Sequence, residues 1–247
     1  MLLHGLADTH DLWRHQLGPL SRRHRLIAVD LRGHGRSPYD DSDYSLEDAA
    51  DDVRSTMAEA GIERAVVIGL SMGGGVAQML AITHPERVRA LVLVSTSSEF
   101  PMATRERFLV RAARAEAEGM AAVVDATVPR WFTPAFADAH PEEVERTRRS
   151  VLDIDPRAFA AASRANAIRD LTRQLRSIAC PVAFVGGADD PARPQRALEI
   201  YRRELPDLRT AEILDGASHL VPVEAPDRFN DLVLRFLAEL EPDTKET

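Results

Sequence analysis

Residues 65–73 read AVVIGLSMG, so Gly69-Leu70-Ser71-Met72-Gly73 has the form G-x-S-x-G. A short apolar run precedes the motif and a helical pattern follows it. In that setting a serine sits on a sharp strand-to-helix turn with its hydroxyl lifted clear of a sheet. A hydroxyl is a weak nucleophile until a base takes its proton. Of the eight histidines, His219 is the candidate base, because it stands in EILDGASHLVPVEAP, after a late apolar run and before the last helical pattern. His10, His15, His24 and His140 sit in helix-like or polar contexts and read as solvated. His84, before Pro85, reads as a helix end, and His34 in DLRGHGRS as part of a glycine-rich turn. The base needs a carboxylate to fix its tautomer and orientation. VGGADDPARP offers Asp189 and Asp190, and spacing leaves both open.

Attack of a serine on an acyl carbon develops an oxyanion, which two backbone N–H groups must meet. One expected donor is Met72, directly after the serine, and the other is Leu6, in the loop of LLHGLAD after an early strand. Losing one such donor costs about 2.7–4 kcal/mol of transition-state stabilisation. No metal is expected, since no paired His or Cys spacing occurs. No cofactor is expected either: GLSMGGGVA lacks the Lys-Ser/Thr of a phosphate loop and the G-x-G-x-x-G of a dinucleotide site.

These groups must be carried by elements, and the chain supplies them in alternation. Apolar runs occur at 26–30 (LIAVD), 65–70 (AVVIGL), 90–95 (ALVLVS), 181–187 (PVAFVGG) and 209–215 (RTAEILD). Most are continuous rather than alternating, as in strands buried on both faces of a parallel sheet. Helices are predicted from Ser45 to Gly61, from Ser71 to before Pro85, and from about Pro226 to Leu240. The fold class is therefore α/β, a doubly wound, mostly parallel sheet. Between 98 and 169 no strand-like run appears, and Pro129, Pro134, Pro141 and Pro156 interrupt helical patterns. This stretch reads as a helical lid inserted into a core formed by 1–97 and 170–240, with 241–247 a disordered tail.

A net charge of −8 opposes binding to nucleic acid or an anionic membrane. No apolar run is long enough to span a bilayer, no signal peptide is visible, and the cytoplasm is the default location. A single cysteine, Cys180, excludes an internal disulfide and reads as a buried thiol. Arginines and acids nearly balance across 98–169, so any attraction for an anion must be local.

With HGL, DLRGHGRS, GLSMGG, GADDPARP and GASHLVPVEAP in hand, the chain resembles an α/β-hydrolase. More narrowly it resembles the 3-oxoadipate enol-lactonases, through YSLEDAADDV, AGIERAVVIGLSMGGGVAQ, HPERVRALVLVSTS and the lid segment GMAAVVDATVPRWFTPAF. The resemblance implies Ser71, Asp190 and His219 as a catalytic set, because the aspartate of such enzymes heads a D-P-A-x-P segment. It implies opening of an enol-lactone to a 3-oxo acid in aromatic catabolism. The substrate is then a small carboxylated lactone, for which Arg130 would hold the carboxylate and Trp131 would wall the ring. Phe108 departs from the resemblance, since a tryptophan is expected there. A second departure is the start. Members of this fold have two further strands ahead of the one ending in HGL, so the expectation is that the given start is late and LIAVD becomes an open apolar edge. A carboxylesterase, a C–C bond hydrolase or a perhydrolase on the same fold is the nearest alternative, and a non-catalytic binding protein a more distant one.

Overall fold

The structure, a computed structural model, is described over residues 1–240. The tail expected at 241–247 lies outside the described residues.

Among the described residues the strands are β1 (Leu2–Leu3), β2 (Ala28–Val29), β3 (Ala65–Leu70), β4 (Val88–Val94), β5 (Val182–Gly187) and β6 (Leu208–Leu214). They form one sheet in the order β2-β1-β3-β4-β5-β6, with every neighbouring pair parallel. The continuous apolar runs have the expected cause. In β4, Leu91, Val92, Leu93 and Val94 are fully buried, because helices cover both faces of the sheet. Parallel neighbours need crossovers. These are supplied by α1 (Arg14–Ser21), α2 (Leu46–Glu59), α3 (Met72–Thr83) and α9 (Pro194–Glu204), while α10 (Val221–Glu224) and α11 (Pro226–Leu240) close the chain. Helix α2 begins as its sequence predicts: Ser45 and Asp48 form a capping box, and Gly61 takes a positive φ just beyond its end.

From β1 the chain steps to β2 on one side, then returns past β1 to β3 on the other. Open parallel sheets bind ligands outside the carboxyl ends of their strands, at such a reversal. Here the loops after β1 and β3 flank it, and they carry Leu6 and Ser71.

The insertion between β4 and β5 is helical: α4 (Met102–Glu118), α5 (Ala121–Thr127), α6 (Pro134–Ala139), α7 (Pro141–Leu152) and α8 (Pro156–Ala167). Pro134, Pro141 and Pro156 open helices as their first residues, where proline's missing N–H costs nothing. An isolated bridge between Glu99 and Asp170 ties the two ends of the insertion together.

The predicted 26–30 strand is corrected to Ala28–Val29. Its partner β1 is only two residues long, and beyond Val29 the Asp30 carboxylate turns to cap His10 and Arg36 N–H groups. Ala28 and Val29 sit at the sheet edge and are half-buried. Met1 extends the β1 ladder: its amine, buried and pushed down to about 5, donates to Val66 O at 2.9 Å, and its carbonyl accepts from Ile68 N at 2.9 Å. Cys180 is half-buried rather than buried, and burial pushes its thiol up to about 11, which keeps it protonated.

Candidate active site

Ser71 directly follows β3, in a conformation that side chains rarely adopt, φ 54° and ψ −107°. Such strain costs about 1–3 kcal/mol and persists only where the surroundings impose it. Here they do. Ser71 N donates to Val94 O at 2.9 Å, and Ser71 O accepts from Thr96 Oγ1 at 2.6 Å and from Arg169 Nη1 at 3.3 Å. The two glycines of the motif are required by close approach. A Cβ on Gly69 would strike the Gly73 carbonyl, and one on Gly73 would strike the carbonyls of Leu3 and His4.

His219 lies in the loop after β6, its side chain 13% exposed, with Nδ1 2.8 Å from Asp190 Oδ2. Asp190 is 5% exposed, and its other oxygen accepts from Ala192 N at 2.8 Å. Asp189 is exposed and uses only its backbone here, donating to Ala217 O at 3.0 Å. Of the two aspartates that spacing left open, Asp190 is the one whose carboxylate meets His219. In the neutral tautomer that directs Nδ1–H at Asp190, the lone pair of His219 lies on Nε2. Ser71, His219 and Asp190 line one cavity of about 800 Å³ together with Leu6, Arg130 and Trp131.

The loop after β1 is held by two neutral histidines. His4 Nδ1 donates to Gly5 O at 2.7 Å, and its Nε2 accepts from Leu31 N at 2.9 Å. His34 Nδ1 donates to Arg32 O at 2.9 Å, and its Nε2 accepts from Ala7 N at 3.3 Å. Burial, with the neighbouring His34, pushes His4 down to about 3, and burial also lowers His34. Each ring can therefore donate at one nitrogen and accept at the other. The amides around the expected oxyanion donors are engaged: Ala7 with His34, Asp8 with Gly5 O, Ser71 with Val94 O, Gly73 with His4 O. Among the described residues, Leu6 N–H meets no backbone acceptor, and Met72 N–H opens α3, where no intrahelical partner exists.

The fold agrees with what the chain matches. Residues 1–226 fit the family of the alpha/beta hydrolase fold. The chain belongs to that family. A 3-oxoadipate enol-lactonase of Acinetobacter baylyi is 29% identical to this hydrolase over 92% of the chain and 84% of its own length. A malate-bound thermophilic esterase from Thermogutta terrifontis superposes with a TM-score of 0.91 at 29% identity, covering 98% of this chain and 89% of its own. The enol-lactonase from Burkholderia xenovorans LB400 gives 0.90 at 29% identity, covering 96% and 90%.

In this hydrolase Arg130 is exposed at the cavity rim, while Trp131 is half-buried with its ring stacked on His219, centroids 6.4 Å apart. The backbone of this pair is fastened to the histidine loop: Leu220 N donates to Trp131 O at 3.2 Å and Ser218 Oγ to Arg130 O at 3.3 Å. Phe108, where a tryptophan is expected, is buried and packs on Phe100 at 5.1 Å.

Two residues at the site were not foreseen. Glu224 accepts from Ser218 N at 2.5 Å and from Thr133 N and Oγ1 at 2.7 and 2.9 Å, so one half-buried carboxylate clamps the histidine loop to the RWFT segment. Its signal was a lone acid in the apolar run HLVPVEAP. Arg169, 3% exposed, reaches Ser71 O from the end of the insertion, with its guanidinium 4.3 Å from the Phe100 ring. Burial pushes it down to about 10, which leaves it charged at neutral pH. Among the described residues no group of three His, Cys, Asp or Glu could hold a metal ion, and no helix is long and apolar enough to cross a membrane.

Proposed function

We propose that this hydrolase opens a small carboxylate-bearing enol-lactone, of the 3-oxoadipate enol-lactone type, by serine acyl-enzyme chemistry, as a cytoplasmic step in aromatic catabolism. The observation that carries the reading is the His219–Asp190 pair on the same cavity as a strained serine turn. His219 Nε2 takes the Ser71 proton as the oxygen attacks the lactone carbonyl. The Leu6 and Met72 amides hold the resulting oxyanion. The ring C–O bond breaks, and the departing enol oxygen takes the proton from His219. Water, deprotonated by His219, then releases the acid from Ser71, and the enol becomes the 3-oxo form. Residues 98–169 serve as a lid over the 1–97 and 170–240 core, with Arg130 for the carboxylate and Trp131 for the ring wall. The likeness to enol-lactonases at 29% identity supports this substrate class.

A simple carboxylesterase is the second reading, favoured by the equally close likeness to a thermophilic esterase. Steady-state kcat/KM on 3-oxoadipate enol-lactone and on uncharged short-chain 4-nitrophenyl esters separates the two. The proposal expects the enol-lactone to be preferred by about 100-fold or more, the scale of a satisfied charge pair. Preference for the uncharged esters would move the assignment to a carboxylesterase. A ligand-induced rise in Tm without turnover of any substrate would make the protein a binder.

A further inference from the structure

One wall of the cavity holds two packed phenylalanines flanked by two arginines. Arg111, on α4, lies over the Phe108 ring with its guanidinium carbon 5.0 Å from the centroid. Phe108 packs on Phe100 at 5.1 Å, and Phe100 carries Arg169 at 4.3 Å. All four residues line the cavity that holds Ser71 and His219. Both cations keep buried nitrogens without a partner among the described residues, Nε in Arg111 and Nε and Nη2 in Arg169. Among those residues they differ in their anchoring: Arg169 Nη1 donates to the Ser71 carbonyl, whereas the Arg111 guanidinium rests on the Phe108 ring alone.

The acids nearby are already engaged. Glu99 holds Arg196 at 2.8 Å, Glu116 holds Arg164 at 2.9 Å and Glu118 holds Arg114 at 3.4 Å. Glu106 is on the same wall but exposed, and it is not among the charges acting on Arg111. Those charges, after the effect of burial, are Arg130 and Arg107, both cations. Together they push Arg111 down to about 10, so it stays protonated at neutral pH. A half-buried guanidinium beside like charges, with no carboxylate between them, is an unfavourable arrangement for the empty protein. A bound anion reverses it, and a guanidinium fork matches a carboxylate in two hydrogen bonds.

We infer that Arg111, with Arg130 at the rim, seats the carboxylate of the substrate and makes this hydrolase selective for acyl groups ending in an anion. The aromatic pair beside it receives the intervening methylene groups, and Arg169 stays with the serine turn. This inference rests on the reading of the site as a serine hydrolase of carboxylated substrates.

Two esters that share a leaving group test it: mono-4-nitrophenyl glutarate, which ends in a carboxylate, and 4-nitrophenyl butyrate, which does not. The ratio of their kcat/KM values isolates the anion from the chemistry. In Arg111→Met the ratio falls by about 30-fold or more, the low end for removing one partner of a buried charge pair. The loss lies mainly in KM, and Arg111→Lys recovers part of it. If Arg111→Met lowers both esters together and leaves the ratio unchanged, Arg111 is structural and the inference is overturned. Calorimetric titration with glutarate needs no turnover. Binding by the unaltered protein that disappears in Arg111→Met and returns in part in Arg111→Lys supports the seat, and equal binding by all three overturns it. Hydrolysis of neither ester, with glutarate still bound through Arg111, would sink the hydrolase reading while leaving the anion seat in place.

Discussion

Asp189 and Asp190 are neighbours in the chain with opposite surroundings. Asp190 is buried, accepts one backbone N–H and meets His219 Nδ1, whereas the Asp189 side chain faces solvent. Asp190→Asn should therefore lower kcat by about 10⁴-fold, because an amide in that position favours the wrong imidazole tautomer. Asp189→Asn should stay within about threefold, as for a surface change away from the site. Comparable losses in the two variants, measured on one substrate, would contradict the assignment. Ser71 and His219 could be read from sequence because each is announced by local pattern, an apolar strand followed by a turn. Spacing could not separate the two aspartates, which share one turn, and only the D-P-A-x-P resemblance favoured Asp190. Glu224 and Arg169 stayed hidden for a different reason. Their partners lie 91 and 98 residues away, and nothing in local periodicity reports which insertion residue meets which core loop.

At the scale of elements, the loop after β1 is a stack of buried groups that must stay uncharged. His4 needs its lone pair for Leu31 N–H, so its contribution is complete above pH 6.5 and is lost as pH falls toward 3. Asp8 works in the opposite direction. Burial raises its carboxyl to about 7, so the folded chain binds a proton there that the unfolded chain has released above about 3.8. Its contribution is complete below 3.8 and is lost as pH rises through 7. Asp8→Asn keeps an acceptor for Thr9 N–H and removes the titration. Its stability relative to the unaltered protein should therefore climb between pH 4 and 7.5, by as much as about 4 kcal/mol at the full shift. Thermal unfolding of both proteins across that range checks this, and a pH-independent difference would show that Asp8 ionises normally. The elements themselves were legible wherever burial on both faces made the apolar run continuous, as in β3, β4 and β5. LIAVD looked like another such run. It failed to pair along its length because a two-residue neighbour limits the ladder, which is a tertiary fact.

The whole molecule places these pieces by one topological event, the reversal of strand order between β1 and β3. It aligns the loops bearing Leu6 and Ser71, and parallel β5 and β6 bring the Asp190 and His219 loops to the same end. The helical insertion then covers that end, and Glu224 locks it to the histidine loop. A molecule of net charge −8 so presents a cavity wall carrying Arg111, Arg130 and Arg169. Any pull on an anionic substrate is local, since the protein's overall field repels it. In the proposed mechanism the strained serine on this cavity is the nucleophile. The direct measurement is the rate on 3-oxoadipate enol-lactone of the unaltered chain and of Ser71→Ala, with matched Tm. The alanine variant should lose about 10⁴-fold or more in kcat, as removal of a serine nucleophile does elsewhere. A rate in Ser71→Ala within about tenfold of the unaltered chain would contradict it.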